Sequence, residues 1–434
     1  MKPSRYLKVY PYKEKPGYLL LYSTKKTSMI LLREETYGSA LNGTLSADNE
    51  KKLTELGMIV PDRDQEKREV LGLIDKINEN IKVLRISVIL NLECNFDCIY
   101  CYEGDLKGSH YMAAETAALL TEFIKTRFTP EKEKIRIDYY GGEPLLSMDL
   151  IRSISSEVKS FAEGRGAGFA FSLVTNGSLF RRKIAEDLVS IGLSGIKVTI
   201  DGPPDIHNKC RPFKNGAGSF DVILRNIKET TGLVRTRIGG NYQKGNFMRF
   251  PELIDRLQDE GLTPDRVYQL KFDPVMNRPG SGKASPDYTD GLMSINEPWV
   301  IKATELLRGE VMRRGYDAPK LQPTPCQVEI NDSFVVNYDG VIYKCPVFIG
   351  KEGYGIGDLS NGIKEQTDIY RPGIWKRGEC EECEYLPLCF GGCRYMSYAR
   401  DGNMDRVDCR KPYLDAVLET LIKQDIKYRP GNDH

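Results

Sequence analysis

No stretch of about eighteen apolar residues occurs in the chain, so no membrane-spanning helix is expected. The N-terminus, Met-Lys-Pro-Ser-Arg-Tyr, lacks the apolar core of a signal peptide. An excess of charge of one sign is also missing, with Lys+Arg 62 against Asp+Glu 61. No basic field therefore points to nucleic acid. A 40% hydrophobic content with 28% charged residues fits a soluble globular protein. Together these absences imply a cytoplasmic protein with neither membrane nor nucleic acid as partner. Its 434 residues can bury a large core and leave room for about two to four domains.

What the chain does have is cysteine. Eleven in a cytosolic protein point to metal ligands rather than disulfides. Ten of the eleven fall into two groups, and Cys210 alone stands apart, as a small buried thiol. The first group is Cys94, Cys98 and Cys101, spaced C-x3-C-x2-C. It follows the apolar, β-branched run Val83 to Leu90, which reads as a buried strand. Three thiolates at the mouth of a strand can hold three corners of a cubane iron–sulfur cluster. A fully ligated cluster takes four cysteines. No fourth lies nearby, so one iron would stay open to a small molecule. A zinc knuckle prefers C-x2-C pairs in a closed site and remains the competing reading, with a chance group of buried thiols behind it.

After Tyr102 the chain alternates strand-like and helix-like segments. Strands are predicted at Lys134–Tyr140, Phe169–Thr175, Ile196–Ile200, Val234–Ile238 and Val267–Phe272. Helices are predicted at Met112–Phe128, Leu150–Ala162, Phe180–Ile191, Phe220–Thr230 and Phe250–Glu260. With the first strand this makes six β/α units and a parallel sheet with helices outside. Ligands in such sheets bind at the carboxyl ends of the strands. Gly141-Gly142-Glu143-Pro144 follows the second strand, Thr175-Asn176-Gly177 ends the third, and Thr199-Ile200-Asp201-Gly202-Pro203 ends the fourth, followed by His207, Arg211 and Pro212. Each also has a plain structural reading: a β-turn for the glycines, a helix cap for Asp201, a buried structural imidazole for His207.

The cysteine spacing, with Tyr100 before the third thiol, resembles the radical S-adenosylmethionine (SAM) superfamily. The resemblance implies a 4Fe-4S cluster on Cys94, Cys98 and Cys101 whose open iron binds the methionine end of SAM. It also implies cleavage of SAM to a 5′-deoxyadenosyl radical that removes a substrate hydrogen. Gly141, Gly142 and Glu143 are similar to the family's GGEP motif, which meets the SAM ammonium. Asn176, which ends the third strand, joins the SAM-binding set. By the same resemblance Tyr100 lies near the adenine and Thr199 reaches the ribose. Asp201 and Arg211 belong to the same stretch, and the planar fork of Arg211 suits a carboxylate.

The second group runs from Cys326, through Gly340 and Cys345, to Cys380, Cys383, Cys389, Cys393 and Cys409. These seven match the SPASM extension of radical SAM enzymes. The match implies two auxiliary 4Fe-4S clusters, three clusters in all. Cys380, Cys383, Cys389 and Cys409 would hold one, and Cys326, Cys345 and Cys393 the other. Residues 315–325 contain no further cysteine, so the second of these would keep an open iron or take another ligand. A substrate thiolate suits such an iron. In sulfatase-maturing relatives an Asp follows the second of these cysteines and acts as base; here Pro346 stands there.

The expected architecture is α/β. Residues 1–60 form a small α+β, winged-helix-like module, either a PqqD-like peptide-recognition element or a structural cap. Residues 61–82 form a linker helix, 83–278 a partial (β/α)6 TIM-like barrel, 279–322 a bridging region, 323–415 the SPASM domain and 416–434 a C-terminal helix and tail. Within the bridge, Pro279–Asp290 reads as a loop that either closes on substrate or stays mobile. Tyr413–Lys423 is amphipathic and is expected on the barrel. The resemblance implies an oxidoreductase that matures a ribosomally made precursor peptide, of a geopeptide or ranthipeptide kind. Flavodoxin or ferredoxin would serve as reductant. A Cys thioether is the expected bond, with a carbon–carbon or carbon–oxygen link second. Modification of a folded protein subunit, or redox sensing without catalysis, are the other classes.

Overall fold

The computed structural model describes residues 1–276, 287–289, 293–364 and 368–429. The expected Pro279–Asp290 loop, apart from residues 287–289, and the last residues of the tail lie outside them. The chain divides into two compact units. One joins Met1–Asn80 to Lys320–Ile330 and Arg371–His434; the other joins Ile81–Pro319 to Asn331–Tyr370.

In the first unit, β1 (Lys2–Pro3) pairs antiparallel with β5 (Ile59–Val60). Between them β2 (Leu7–Pro11), β3 (Tyr18–Ser23) and β4 (Met29–Arg33) form an antiparallel sheet in the order β2-β3-β4. Helices Glu34–Asn42 and Ala47–Glu55 follow. Ser46 caps the second by accepting from the Asn49 N–H. The linker segment holds two helices, Arg63–Leu71 and Leu73–Glu79, parted at Gly72.

The period of two along β3 explains how this unit is layered. Leu21 turns to one side and packs with Ala40, Leu53 and Met58. Leu20 and Tyr22 turn to the other and meet Tyr385, Leu388, Leu414, Leu418 and Ile422. The amphipathic C-terminal helix, Lys411–Tyr428, was expected on the barrel; its apolar stripe instead covers this second face of the sheet. A local pattern shows that a helix has an apolar face but not which sheet receives it.

The second unit holds the expected six parallel strands: β6 (Val83–Ile89), β7 (Lys134–Tyr140), β8 (Gly168–Thr175), β9 (Leu193–Thr199), β10 (Arg235–Tyr242) and β11 (Gln269–Pro274). They neighbour one another in chain order, which is the arrangement of a partial barrel built from successive β/α units. On the free side of β6 the sheet continues. There β12 (Ser333–Val336) runs parallel to β6, and β13 (Val341–Tyr343), β14 (Gly357–Asp358) and β15 (Gly362–Ile363) add antiparallel pairs. The cysteine-rich stretch is thus shared: Cys345 belongs to this unit and Cys326 to the other.

Candidate active site at the strand ends

The three clustered cysteines lie on the loop that leaves β6, at the carboxyl end of the sheet. Cys94 is buried, Cys98 and Cys101 half-buried. Burial pushes the Cys94 thiol up to about 11 and raises Cys98 and Cys101 as well, while Lys107 pulls all three down. Metal binding would have to displace those protons. Among the described residues no three His, Cys, Asp or Glu side chains converge as a single metal ion requires. A cubane makes no such demand, because each thiolate binds a different iron.

The GGEP turn is stitched to this loop by backbone. Gly142 N–H donates to the Asn91 carbonyl at 3.0 Å and Glu143 N–H to the Glu93 carbonyl at 2.8 Å. A Cβ on Gly141 would stand 2.3 Å from the Asn91 oxygen, and one on Gly142 would stand 2.1 Å from the Glu93 oxygen. Both glycines are therefore required by the cysteine loop itself, whatever binds beyond it. Glu143 is fully buried and works as a buckle. Its carboxylate accepts from Thr175 Oγ1 at 2.8 Å, Asn176 N–H at 2.8 Å and Leu145 N–H at 3.1 Å. These bonds tie the end of β7 to the end of β8. Burial nonetheless holds the Glu143 carboxyl up at about 6. Asn176 donates to Asn95 Oδ1 at 2.8 Å and reaches Cys94 Sγ at 3.8 Å.

A second knot lies on the opposite side of the loop. The Tyr100 hydroxyl donates to Asp201 and accepts from Arg211 Nη1 at 2.8 Å and Asn241 Nδ2 at 3.1 Å. Asp201, fully buried, also accepts from the Asn241 N–H at 2.6 Å. Desolvation raises the Asp201 carboxyl, and the nearby Arg211 guanidinium opposes that rise. Arg211 stands 3.9 Å from Asp201, and its Nε is buried without a partner. His207 accepts from the Asp201 N–H at 3.0 Å through Nδ1 and pairs with Ser219 at 3.0 Å through Nε2. Burial lowers it to about 3, so it stays neutral and props the Asp201 turn. Thr199 lies in register with Gly239, on the face of β9 away from the helices.

The strand ends thus gather Cys94, Cys98, Cys101, Tyr100, Gly141, Gly142, Glu143, Asn176, Thr199, Asp201 and Arg211. Asn241 was missed from sequence. The predicted fifth strand stops at Ile238, because Gly239-Gly240 looks like a breaker, and this puts Asn241 in a loop. In the structure β10 runs on to Tyr242.

In the first unit, Cys380 and Cys383 are joined by a Cys383 N–H to Cys380 carbonyl bond at 3.1 Å. The field of Cys380 includes Cys383 and Cys409, that of Cys389 includes Cys383 and Cys380, and that of Cys393 includes Cys326. Two devices set these neighbours. Asp408 N–H donates to the Gly391 carbonyl at 3.0 Å, and its carboxylate accepts from the Cys393 N–H at 3.1 Å. Arg394, next to Cys393, pairs with Glu329, close after Cys326, at 2.6 Å with both side chains buried. Cys345 follows β13 in the other unit.

Comparison with known proteins agrees with this architecture. The family model described as the Radical SAM superfamily matches residues 88–242. An uncharacterised protein of Methanocaldococcus jannaschii is 31% identical over 307 residues, 68% of this chain and 94% of that protein. A cysteine-type anaerobic sulfatase-maturating enzyme of Clostridium novyi is 24% identical over 371 residues, 77% of this chain and 96% of the enzyme. Among solved structures, native anSMEcpe with bound AdoMet and the Cp18Cys peptide aligns with a TM-score of 0.62 at 17% identity, covering 79% of this chain and 98% of that one. Streptococcus suis SuiB bound to its precursor peptide SuiA aligns with a TM-score of 0.52 at 14% identity, covering 94% of this chain and 98% of that one.

Proposed function

The chain belongs to the radical SAM superfamily, and we propose on that footing that it is a maturase of ribosomally made precursor peptides. The observation that carries the peptide is the fold shared with SuiB, which spans 94% of this chain and is solved with a precursor peptide bound. The residues at the strand ends fit the family's cofactors. Three soft thiols share one loop, Cys210 lies against it by accepting from the Ile99 N–H at 3.1 Å, and the partnerless Arg211 Nε and Asn91 Oδ1 lie at the loop's two anchor points. When bound, the 4Fe-4S cluster and SAM would supply a radical able to remove a hydrogen atom from a peptide carbon.

The chain's own residues keep that chemistry in place. Glu143 and the glycines before it hold one side of the cysteine loop, and Tyr100, Asp201, Arg211 and Asn241 hold the other. Thr199 at the end of β9 would reach the ribose of SAM, and Asn176, just past β8 and beside Cys94, would belong to the same SAM-binding set. By the match of the cysteine spacing, Cys326, Cys345 and Cys393 would hold a second 4Fe-4S cluster, and Cys380, Cys383, Cys389 and Cys409 a third. The product is a thioether between a peptide carbon and a cysteine. Removing the hydrogen atom leaves one unpaired electron on carbon. Forming the C–S bond would release the thiol proton and one electron, for which clusters held by the second group of cysteines would supply an acceptor. Pro346 offers no carboxylate where the sulfatase-maturing base would stand, which favours cross-linking over oxidation of a sulfatase side chain. The leader of the precursor lies as an added strand on an edge of the three-stranded sheet, where β2 and β4 each leave one side unpaired. A flavodoxin or ferredoxin delivers the reducing electron.

The test is anaerobic. The reduced protein with SAM should form 5′-deoxyadenosine over many turnovers, and a Cys94/Cys98/Cys101→Ala variant should form none. Iron should fall from about twelve per chain to about eight in that variant. Zinc in place of iron, or no nucleoside product, would contradict the reading.

A further inference from the structure

The inner face of the barrel carries two cations, Lys197 and Arg237, that make no ion pair among the described residues. Alternation along β9 buries Ile196 and Val198, and Val198 meets Ile223 of helix Phe220–Thr230 across Gly177. Lys197 and Thr199 therefore point to the inner face. In register, Lys197 lies directly opposite Arg237 on β10, and Gly239 lies opposite both Thr199 and Lys271. Three adjacent strands thus bring Lys197, Arg237 and Lys271 together.

Like charges facing each other across neighbouring strands repel. Two strand carboxylates share this face: Asp273 lies beside Lys271 and is the charge that most favours the Lys197 ammonium, and Asp138 lies away from the three cations. Asp273 pairs with Lys271 at 2.9 Å. Asp138 is held by Arg136 at 3.3 Å and Arg85 at 3.6 Å. Among the described residues neither Lys197 nor Arg237 makes an ion pair, and Arg237 Nε is buried without a partner. Desolvation lowers the Lys197 ammonium, Arg237 and Lys271 lower it further, and Asp273 opposes them. A Cβ on Gly239 would stand 2.7 Å from Lys197 Cε, so the side chain lies across that glycine toward the level of Thr199 and Lys271.

We propose that Lys197 and Arg237, with Lys271 beside them, bind a carboxylate of the peptide substrate, so that this enzyme selects an Asp or Glu near the residue that loses hydrogen. The site rests on the peptide-maturase reading. A carboxylate placed there relieves the repulsion and gives the Arg237 fork the partner it lacks. Lys197 and Arg237 lie one register step inside Thr199, and Lys271 lies level with it, on the barrel side of the strand ends. The methionine carboxylate of SAM has the same chemistry, and the experiment separates the two sources.

The probe is a display library of random short peptides, panned against the anaerobic holoenzyme with SAM present. Wild-type protein should enrich an acidic residue at one position. Lys197→Met and Arg237→Met should lose that preference and bind the enriched peptide about tenfold more weakly. Lys197→Glu should shift the enrichment toward Lys or Arg. SAM affinity should stay the same in all three variants, and their thermal midpoints should not fall. Enriched peptides without an acidic preference, or the same preference in every variant, would overturn the site and leave the peptide reading standing. Weakened SAM binding with unchanged peptide selection would assign the cations to SAM. No retained peptide at all, with SAM bound, would overturn both.

Discussion

Glu143 sits where a charge is costly and yet three donors point at it. Burial raises its carboxyl from 4.5 to about 6 despite those bonds. In that window the folded state holds the proton more tightly than the unfolded state. Stability from this group therefore falls as pH rises from 4.5 to about 6, by about 2 kcal/mol, and stays at the lower level above it. His207 acts the other way: its folded pKa near 3 lies below 6.5, so the protein gains stability as pH rises between those values. The two terms overlap, and a substitution separates them. Glu143→Gln should remove the falling component, so that its thermal midpoint climbs more steeply than the wild type's between pH 4.5 and 6. Parallel midpoint curves for the two proteins would refute the buried-carboxylate account. The sequence shows Glu143 as part of a motif. It does not show that the carboxylate faces Thr175 and Asn176 rather than a ligand, because that needs the ends of β7 and β8 side by side.

At the scale of elements, the cysteine loop and the GGEP turn are one structure. Gly142→Ala would press a methyl group against the Glu93 carbonyl at 2.1 Å, and neither backbone can yield without opening the loop. The variant should be purified with clearly less iron per chain, and with a lower melting point. Gly245→Ala, with nothing within 4 Å, should be indistinguishable from wild type in both. Equal iron in the two variants would separate the turn from the loop. Most barrel elements were legible in sequence. Lys134–Tyr140 and Phe220–Thr230 fall at their expected bounds, because clean periodicity coincides with clear breakers. β10 was read short because Gly239-Gly240 imitates a turn. Those glycines serve close packing instead, against Lys197 and against the Ile200 carbonyl. β12 was not anticipated: four residues inside a cysteine-rich stretch carry no signal that they extend a distant parallel sheet.

At the scale of the molecule, the two ends of the chain fold together in one unit, and one buried ion pair secures the segment that carries Cys326. Removing one partner of such a pair leaves an uncompensated charge, at a cost of about 3–5 kcal/mol. Glu329→Gln should lower the melting point and, by loosening Cys326 from Cys393, remove about four irons while the SAM-cleaving cluster still forms 5′-deoxyadenosine. Full iron occupancy in that variant would show that the pair has no part in holding a cluster. The cysteines fall into two groups in the sequence, and the division of the second between two clusters rests on its resemblance to the SPASM extension. Arg394 and Glu329, which bring two of those cysteines into each other's field, gave no local sign of doing so.

The most direct measurement is the mass of a substrate peptide after turnover. Reduced holoenzyme would be incubated with SAM and a Cys-containing precursor peptide. A thioether maturase should yield a peptide lighter by two hydrogen atoms, with one fewer alkylatable thiol and one 5′-deoxyadenosine for each link. Steady 5′-deoxyadenosine with the peptide's mass and thiol count unchanged would contradict the account.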